Sequence, residues 1–373
     1  MTDIHEFDDI RPFLPEEMPA AYDRLLADPR FLAILPKVYP GVPQEKVEAM
    51  LRAGKTNLEF QKICIYPILQ ALLQKASKGF SANFSHLDGN GYTFISNHRD
   101  IVLDSALLDF ALVDAGFDTV EIAIGDNLLI YPWIKDVVRL NRSFIVQRAL
   151  TMRQMLMASA KMSRYMHYVI GEKGGNLWIA QREGRAKDSD DRTQDSVLKM
   201  LAMGGSGNVI ESLKSLNIVP LAISYEFDPC DYLKAEEFQQ KRNNPDFKKS
   251  QQDDLDNMST GIFGYKGHIH YHAAPCINTW LDTLDPDMPK QELFTAIAQH
   301  IDHEIHRHYR LYDINLVAAG MDKDDKHVAE FNTYVESQLR KVELEEPDIP
   351  FLREKIRQMY ANPAINKAKA DNQ

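Results

Sequence analysis

From residue 86 onward the chain alternates short apolar runs with longer amphipathic stretches. The runs YTFIS (92–96), VEIAI (120–124), SFIVQ (143–147), LWIAQ (177–181) and IVPLAISYE (218–226) are rich in β-branched and aromatic residues, the composition of strands. The stretches 101–114, 149–170 and 193–216 between them read as helices. Strands alternating with helices predict an α/β core with a mixed, largely parallel sheet flanked by helices. GHIHYHAAP (267–275) alternates and predicts an added edge strand.

The flanks differ. Residues 1–85 read as helical with proline-marked breaks. The piece FQKICIYPILQALLQKASKGF carries an apolar stripe at Phe60, Ile63, Cys64, Ile68, Leu69, Leu72 and Leu73. Such a stripe either packs on its own domain or lies on a membrane surface; packing is the expectation. Residues 228–262 are polar and read as an insertion or lid, and 286–373 return to helix with a polar tail. The predicted organisation is an N-terminal helical region (1–85), an α/β core (86–285) and a C-terminal helical region (286–373).

The 373 residues, 44% hydrophobic and 26% charged, suffice for one large core without covalent staples. Cys64, Cys230 and Cys276 are widely spaced, which argues against a disulfide framework or structural zinc and fits a reducing, cytoplasmic setting. No basic-then-apolar leader and no run of about 18 apolar residues is present, so neither secretion nor a spanning helix is expected. The net charge of −11 disfavours nucleic acid as a partner. Yet residues 135–192 hold twelve Lys and Arg against six Asp and Glu, while residues 1–50 hold ten acids against five bases. A basic middle in an acidic whole points to an anionic ligand there, or to a solvated charged face.

FISNHRD (94–100) runs a strand into His98, and ligands of parallel sheets gather beyond the carboxyl ends of the strands. Asp100 is placed to cap the following helix, and Asp104 to hydrogen-bond the imidazole one turn later. A carboxylate on one ring nitrogen fixes the tautomer and leaves the other nitrogen as a base. SFIVQR ends a second strand with Arg148. LWIAQREGRAK ends a third with Arg182, Glu183, Gly184, Arg185 and Lys187. Guanidinium forks suit phosphate, and Gly184 permits close approach of backbone to a ligand. The His-rich stretch AQHIDHEIHRHYR has Arg307 where a second zinc-binding His would stand, and reads as a partly exposed helix. MGGSGN (203–208) reads as a helix cap and turn. His268, His270 and His272 read as one face of a solvated edge strand. No metal or cofactor is expected.

Together these segments resemble the glycerolipid acyltransferases. NHRDIVLD, SFIVQR, IAQREGRAK and IVPLAIS look like that family's four blocks, in order, over roughly residues 90–225. Two spacings depart. The family usually places Asp after His and four residues, whereas Asp104 comes one later; one residue on a helix rotates a side chain by about 100°, so Asp100 stands as the substitute partner. The third-block Arg, usually three residues after Glu, is here Arg185, two after Glu183.

The resemblance implies that His98, supported by Asp104 or Asp100, removes a proton from an acceptor hydroxyl. Arg148, Arg182, Glu183, Gly184 and Arg185 would bind the acceptor. The donor would be an acyl-CoA or acyl-carrier-protein thioester, the acceptor a lysophospholipid or glycerol-3-phosphate. The place would be the inner leaflet of a membrane, attached peripherally. Three alternatives stay open: another acceptor such as an amino-acid lyso-lipid, a metal-dependent phosphohydrolase using His98, Asp100 and Asp104, and an acyl-thioester- or lipid-binding protein without catalysis.

Overall fold

The computed structural model describes residues 2–89, 91–148 and 150–372. Elements that frame the sheet are, in chain order, α1 (Tyr66–Ala76), β1 (Gly79–Asn83), β2 (Thr93–Ser96), α2 (Leu103–Asp114), β3 (Val120–Gly125), α3 (Pro132–Leu140), β4 (Ser143–Val146), α4 (Met152–Gly171) and β5 (Asn176–Ala180). They are followed by β6 (Ile218–Tyr225), α5 (Asp231–Asn243), α6 (Gln251–Phe263), β7 (His268–Ala273), α7 (Lys290–Arg307) and α8 (Ile349–Asp371). Ala149, where the predicted third-block-preceding helix begins, lies outside the described residues.

The seven strands form one sheet in the order β1-β7-β6-β2-β5-β3-β4. β6, β2, β5, β3 and β4 run parallel; β7 pairs antiparallel with β6 and parallel with β1. The α/β expectation therefore holds. Alternation along each strand feeds two cores. Ile95, Phe144, Leu177 and Ile218 face α4 and α7, meeting Tyr165, Met166, Ile297 and Ile301. Phe94, Trp178, Val219 and Leu221 face α1 and α2, meeting Leu69, Leu73, Leu107 and Phe110.

Several expectations are corrected. β7 is internal, because β1 covers its outer side; GFSAN has neither alternation nor an apolar run, yet residues 79–83, expected to be helical, form a strand. The apolar stripe at 60–73, by contrast, packs inward as expected, through Phe60, Cys64, Leu69 and Leu73. A π turn over Gln61–Ile65 interrupts that helix just before Pro67, whose missing N–H breaks the usual hydrogen-bond ladder. The polar segment 228–262 is two docked helices rather than an open lid: α5 packs on α8 and fully buries Lys234. The His-rich helix α7 is also more buried than its sequence suggests, with His306 4% exposed and its Nε2 3.1 Å from the Asp191 carbonyl. Among the described residues, no helix is long and apolar enough to cross a membrane.

Candidate active site

β2 delivers His98 to the carboxyl edge of the sheet, and Asn97 sets the exit. The Asn97 side-chain amide pairs with Ile223 in both directions, donating to its carbonyl at 2.9 Å and accepting from its N–H at 2.8 Å. The side chain thus stands in for a peptide unit and completes the ladder to β6, while the backbone turns away. The next residues are not helical, and α2 begins only at Leu103. Asp100 accepts from the N–H groups of Val102 and Leu103, both at 2.8 Å, at the entry to α2; the helix expected from Ile101 starts at Leu103, with Val102 in the cap position.

This irregular turn, rather than a helical one, carries the chain from His98 to Asp104. His98 Nδ1 lies 2.8 Å from Asp104 Oδ2. Asp104 also accepts from the N–H groups of Arg99 (2.6 Å) and Asp100 (3.1 Å) and from the Tyr225 hydroxyl (3.2 Å). The extra residue in the spacing is absorbed, since the rotation rule applies only on a helix. Asp104, not Asp100, is the imidazole's partner. An acceptor-only carboxylate places the hydrogen on Nδ1, and no protein group among the described residues engages Nε2. The His98 side chain is 13% exposed, that of Asp104 only 1%. Burial pushes the His98 pKa below its ordinary 6.5; Asp104 opposes that shift and the Arg185 charge reinforces it. Burial and the Asp104 charge raise Asp100.

The second cluster starts from β4. Arg148 lies outward, and its guanidinium reaches back across the end of β3 to Glu183 beyond β5, with Nη1 3.2 Å from Oε1. The crossing needs Gly125: a Cβ there would stand 2.8 Å from Arg148 Nε and 2.5 Å from Asn127 Oδ1. Asp126 anchors the Arg148 N–H at 3.2 Å. Glu183 and Gly184 are exposed, and Gly184 has φ +67°, a left-handed turn suited to glycine. Arg182 is half-buried and makes no ion pair among the described residues.

After Gly184 the chain turns inward, and Arg185 parts from the others. It is 6% exposed, covered by α6, and donates to Asn257 Oδ1 at 3.1 Å. Its expected place beside Arg148 as a ligand of the acceptor is not what the structure shows; it stands within electrostatic reach of His98 and Asp100 instead. Lys187 follows it inward and pairs with Glu237 at 3.3 Å.

Three supports escaped sequence reading because their partners are distant in the chain. Arg99 points inward and pairs with buried Asp191 and Ser189, tying the His98 loop to the segment after β5. Lys234 donates to the Arg99 carbonyl at 3.1 Å and pairs with Asp228. Gly261 of α6 packs so closely on Asp100 that a Cβ would lie 2.0 Å from Oδ2. The neighbouring strand ends thus set out, in spatial order, the His98–Asp104 pair, the Glu183–Gly184 turn and the Arg148 fork. Such a row can bind a polar anionic molecule and take a proton from it. No family model matches the chain, and no curated protein matches it.

Proposed function

We propose that the chain is an O-acyltransferase of lipid synthesis. It moves a fatty acyl group from an acyl-CoA or acyl-carrier-protein thioester to the hydroxyl of a phosphorylated glycerol acceptor such as 1-acylglycerol-3-phosphate. One observation carries this reading: a half-buried imidazole held by a buried carboxylate through Nδ1, with Nε2 unengaged, on the same sheet edge as an exposed Arg fork. The lowered pKa keeps His98 neutral at pH 7, the form that a general base requires.

His98 Nε2 accepts the acceptor's hydroxyl proton as that oxygen attacks the thioester carbonyl. The C–S bond then breaks and the thiolate leaves, taking a proton from the imidazolium. Asp104 holds the ring and stabilises its charged form. Arg148 binds the acceptor phosphate, and Glu183 orients the guanidinium. The Glu183 N–H is taken by Gln194 Oε1 at 2.9 Å, which leaves the Gly184 N–H as the donor toward the developing oxyanion. Acceptor and product are lipids, so the site works against a membrane surface. The metal-hydrolase alternative is disfavoured by the engagement of both carboxylates, Asp104 with two amides, an imidazole and a phenol, and Asp100 with a helix end.

The test is acyl transfer by purified protein with lysophospholipids, glycerol-3-phosphate and amino-acid lyso-lipids, each with CoA and carrier-protein thioesters. His98→Ala abolishes transfer while leaving the fold intact; retained turnover rejects the reading. Arg148→Ala raises KM for phosphorylated acceptors about tenfold or more and spares phosphate-free ones. Equal loss on both would remove the phosphate role.

A further inference from the structure

Arg148 is followed closely by the start of α4, whose first turns leave the body of the protein. Residues 151–157 are all exposed. Met152 is 89% exposed, Met155 48%, Leu156 63% and Met157 65%. Four of the nine large hydrophobic side chains exposed among the described residues therefore fall within six consecutive positions. Met152, Met155 and Leu156 share one face at i, i+3 and i+4. A capping box holds these turns helical without tertiary support: Thr151 accepts from the Gln154 N–H, and the Gln154 side chain accepts from the Thr151 N–H at 3.0 Å.

We infer that the first two turns of α4 are the element by which this protein docks on an anionic lipid bilayer, with the His98–Arg148 edge turned toward it. Three observations favour a bilayer over another protein. First, the apolar groups sit on a projecting prong rather than a flat face, a shape that enters an interface and offers little area to a folded partner. Second, methionine is flexible and polarisable, and adapts to disordered chains. Third, the charge is complementary. Arg153 on the same turns and Lys135 in the first turn of α3, the helix that packs on β4, are exposed and form no ion pair among the described residues, and the helix N-terminus adds its own partial positive charge. In a chain of net charge −11, this local cationic rim orients the molecule on a negative surface.

The choice of a bilayer rests on the lipid-acylation reading, so the test measures docking without turnover and each can fail alone. Full-length protein is sedimented with vesicles of phosphatidylethanolamine and phosphatidylglycerol, and with phosphatidylcholine vesicles. The expected result is binding to the anionic vesicles that weakens with salt. The double variant Met155→Asp with Leu156→Asp lowers vesicle affinity at least tenfold, with unchanged circular dichroism and melting midpoint because both side chains are already in solvent. Lys135→Glu with Arg153→Glu removes the preference for anionic vesicles. Met321→Asp, an exposed apolar residue elsewhere, has no effect.

Absence of vesicle binding by the natural protein overturns the inference, as does undiminished binding by the Met155/Leu156 variant. Two further outcomes would also overturn it. In one, the variant dissociates a dimer while vesicle binding is unchanged. In the other, the variant loses binding to an acidic acyl-carrier protein in solution but keeps its vesicle affinity.

Discussion

At residue scale the site turns on the link between His98 and Asp104. Replacing Asp104 with Asn removes the acceptor-only group that fixes the tautomer and supports the imidazolium, and under the proposed function acyl transfer falls about 10²-fold or more. The pH profile separates this from mere structural damage. The free base is the neutral ring, so activity rises as pH climbs through the His98 pKa and levels off above it. In the natural protein that limb lies below 6.5, because burial outweighs Asp104. Asp104 is the largest influence raising the value, so in Asp104→Asn the limb moves to still lower pH. A limb that stays put or moves up would show that Asp104 does not act on His98 through charge. The partner itself was only half legible in the sequence. Counting along a helix weakens Asp104 enough to leave Asp100 as a substitute, but residues 99–102 are not helical, and four hydrogen bonds to one carboxylate decide the geometry for Asp104. The inward place of Arg185 was not legible for a related reason: the positive φ of Gly184 and the cover of α6 turn it inside.

At the scale of elements, the strand ends place the groups of the proposed site, and the gaps between them are set by small residues. The strands from β2 to β4 are three steps apart, roughly 14 Å at the usual spacing, too far for Arg148 to approach the middle of the row unless it crosses β3. Gly125 provides the crossing. Gly125→Ala therefore displaces the guanidinium from Glu183, raising KM for a phosphorylated acceptor about tenfold. Turnover of a phosphate-free acceptor and the melting midpoint change little, since a flexible side chain rather than backbone gives way. An unchanged KM would mean that Arg148 binds from another position. The strands that carry the blocks were legible because their composition is strong. Gly125 was not, since its importance arises from β3 lying between β5 and β4, an order that local pattern does not encode. β1 was invisible for the same reason: GFSAN becomes a strand through its pairing with β7.

At the scale of the whole molecule, the C-terminal helix supports the site from behind. The Tyr360 hydroxyl of α8 accepts from the Asp228 N–H at 3.0 Å and donates to Asp231 Oδ2 at 2.8 Å. Asp228 pairs with Lys234, and Lys234 holds the Arg99 carbonyl next to His98. Tyr360→Phe leaves a buried N–H without a partner and removes one donor from a buried carboxyl, a loss of roughly 1–3 kcal/mol. Burial pushes Asp231 up to about 7, and the Tyr334 and Tyr360 hydroxyls hold it down. A carboxyl raised on folding contributes stability at low pH that is lost as pH rises through its folded value. Without Tyr360 that value moves higher, so the loss continues above pH 7, and the variant's deficit is larger at pH 8.5 than at pH 5.5. Urea midpoints of both proteins at those two values measure the difference. A deficit independent of pH would show that Asp231 does not sense the hydroxyl. The proposed transfer activity, read at a temperature where the variant is folded, falls as well, because the loosened Asp228–Lys234 pair releases the loop that presents the imidazole.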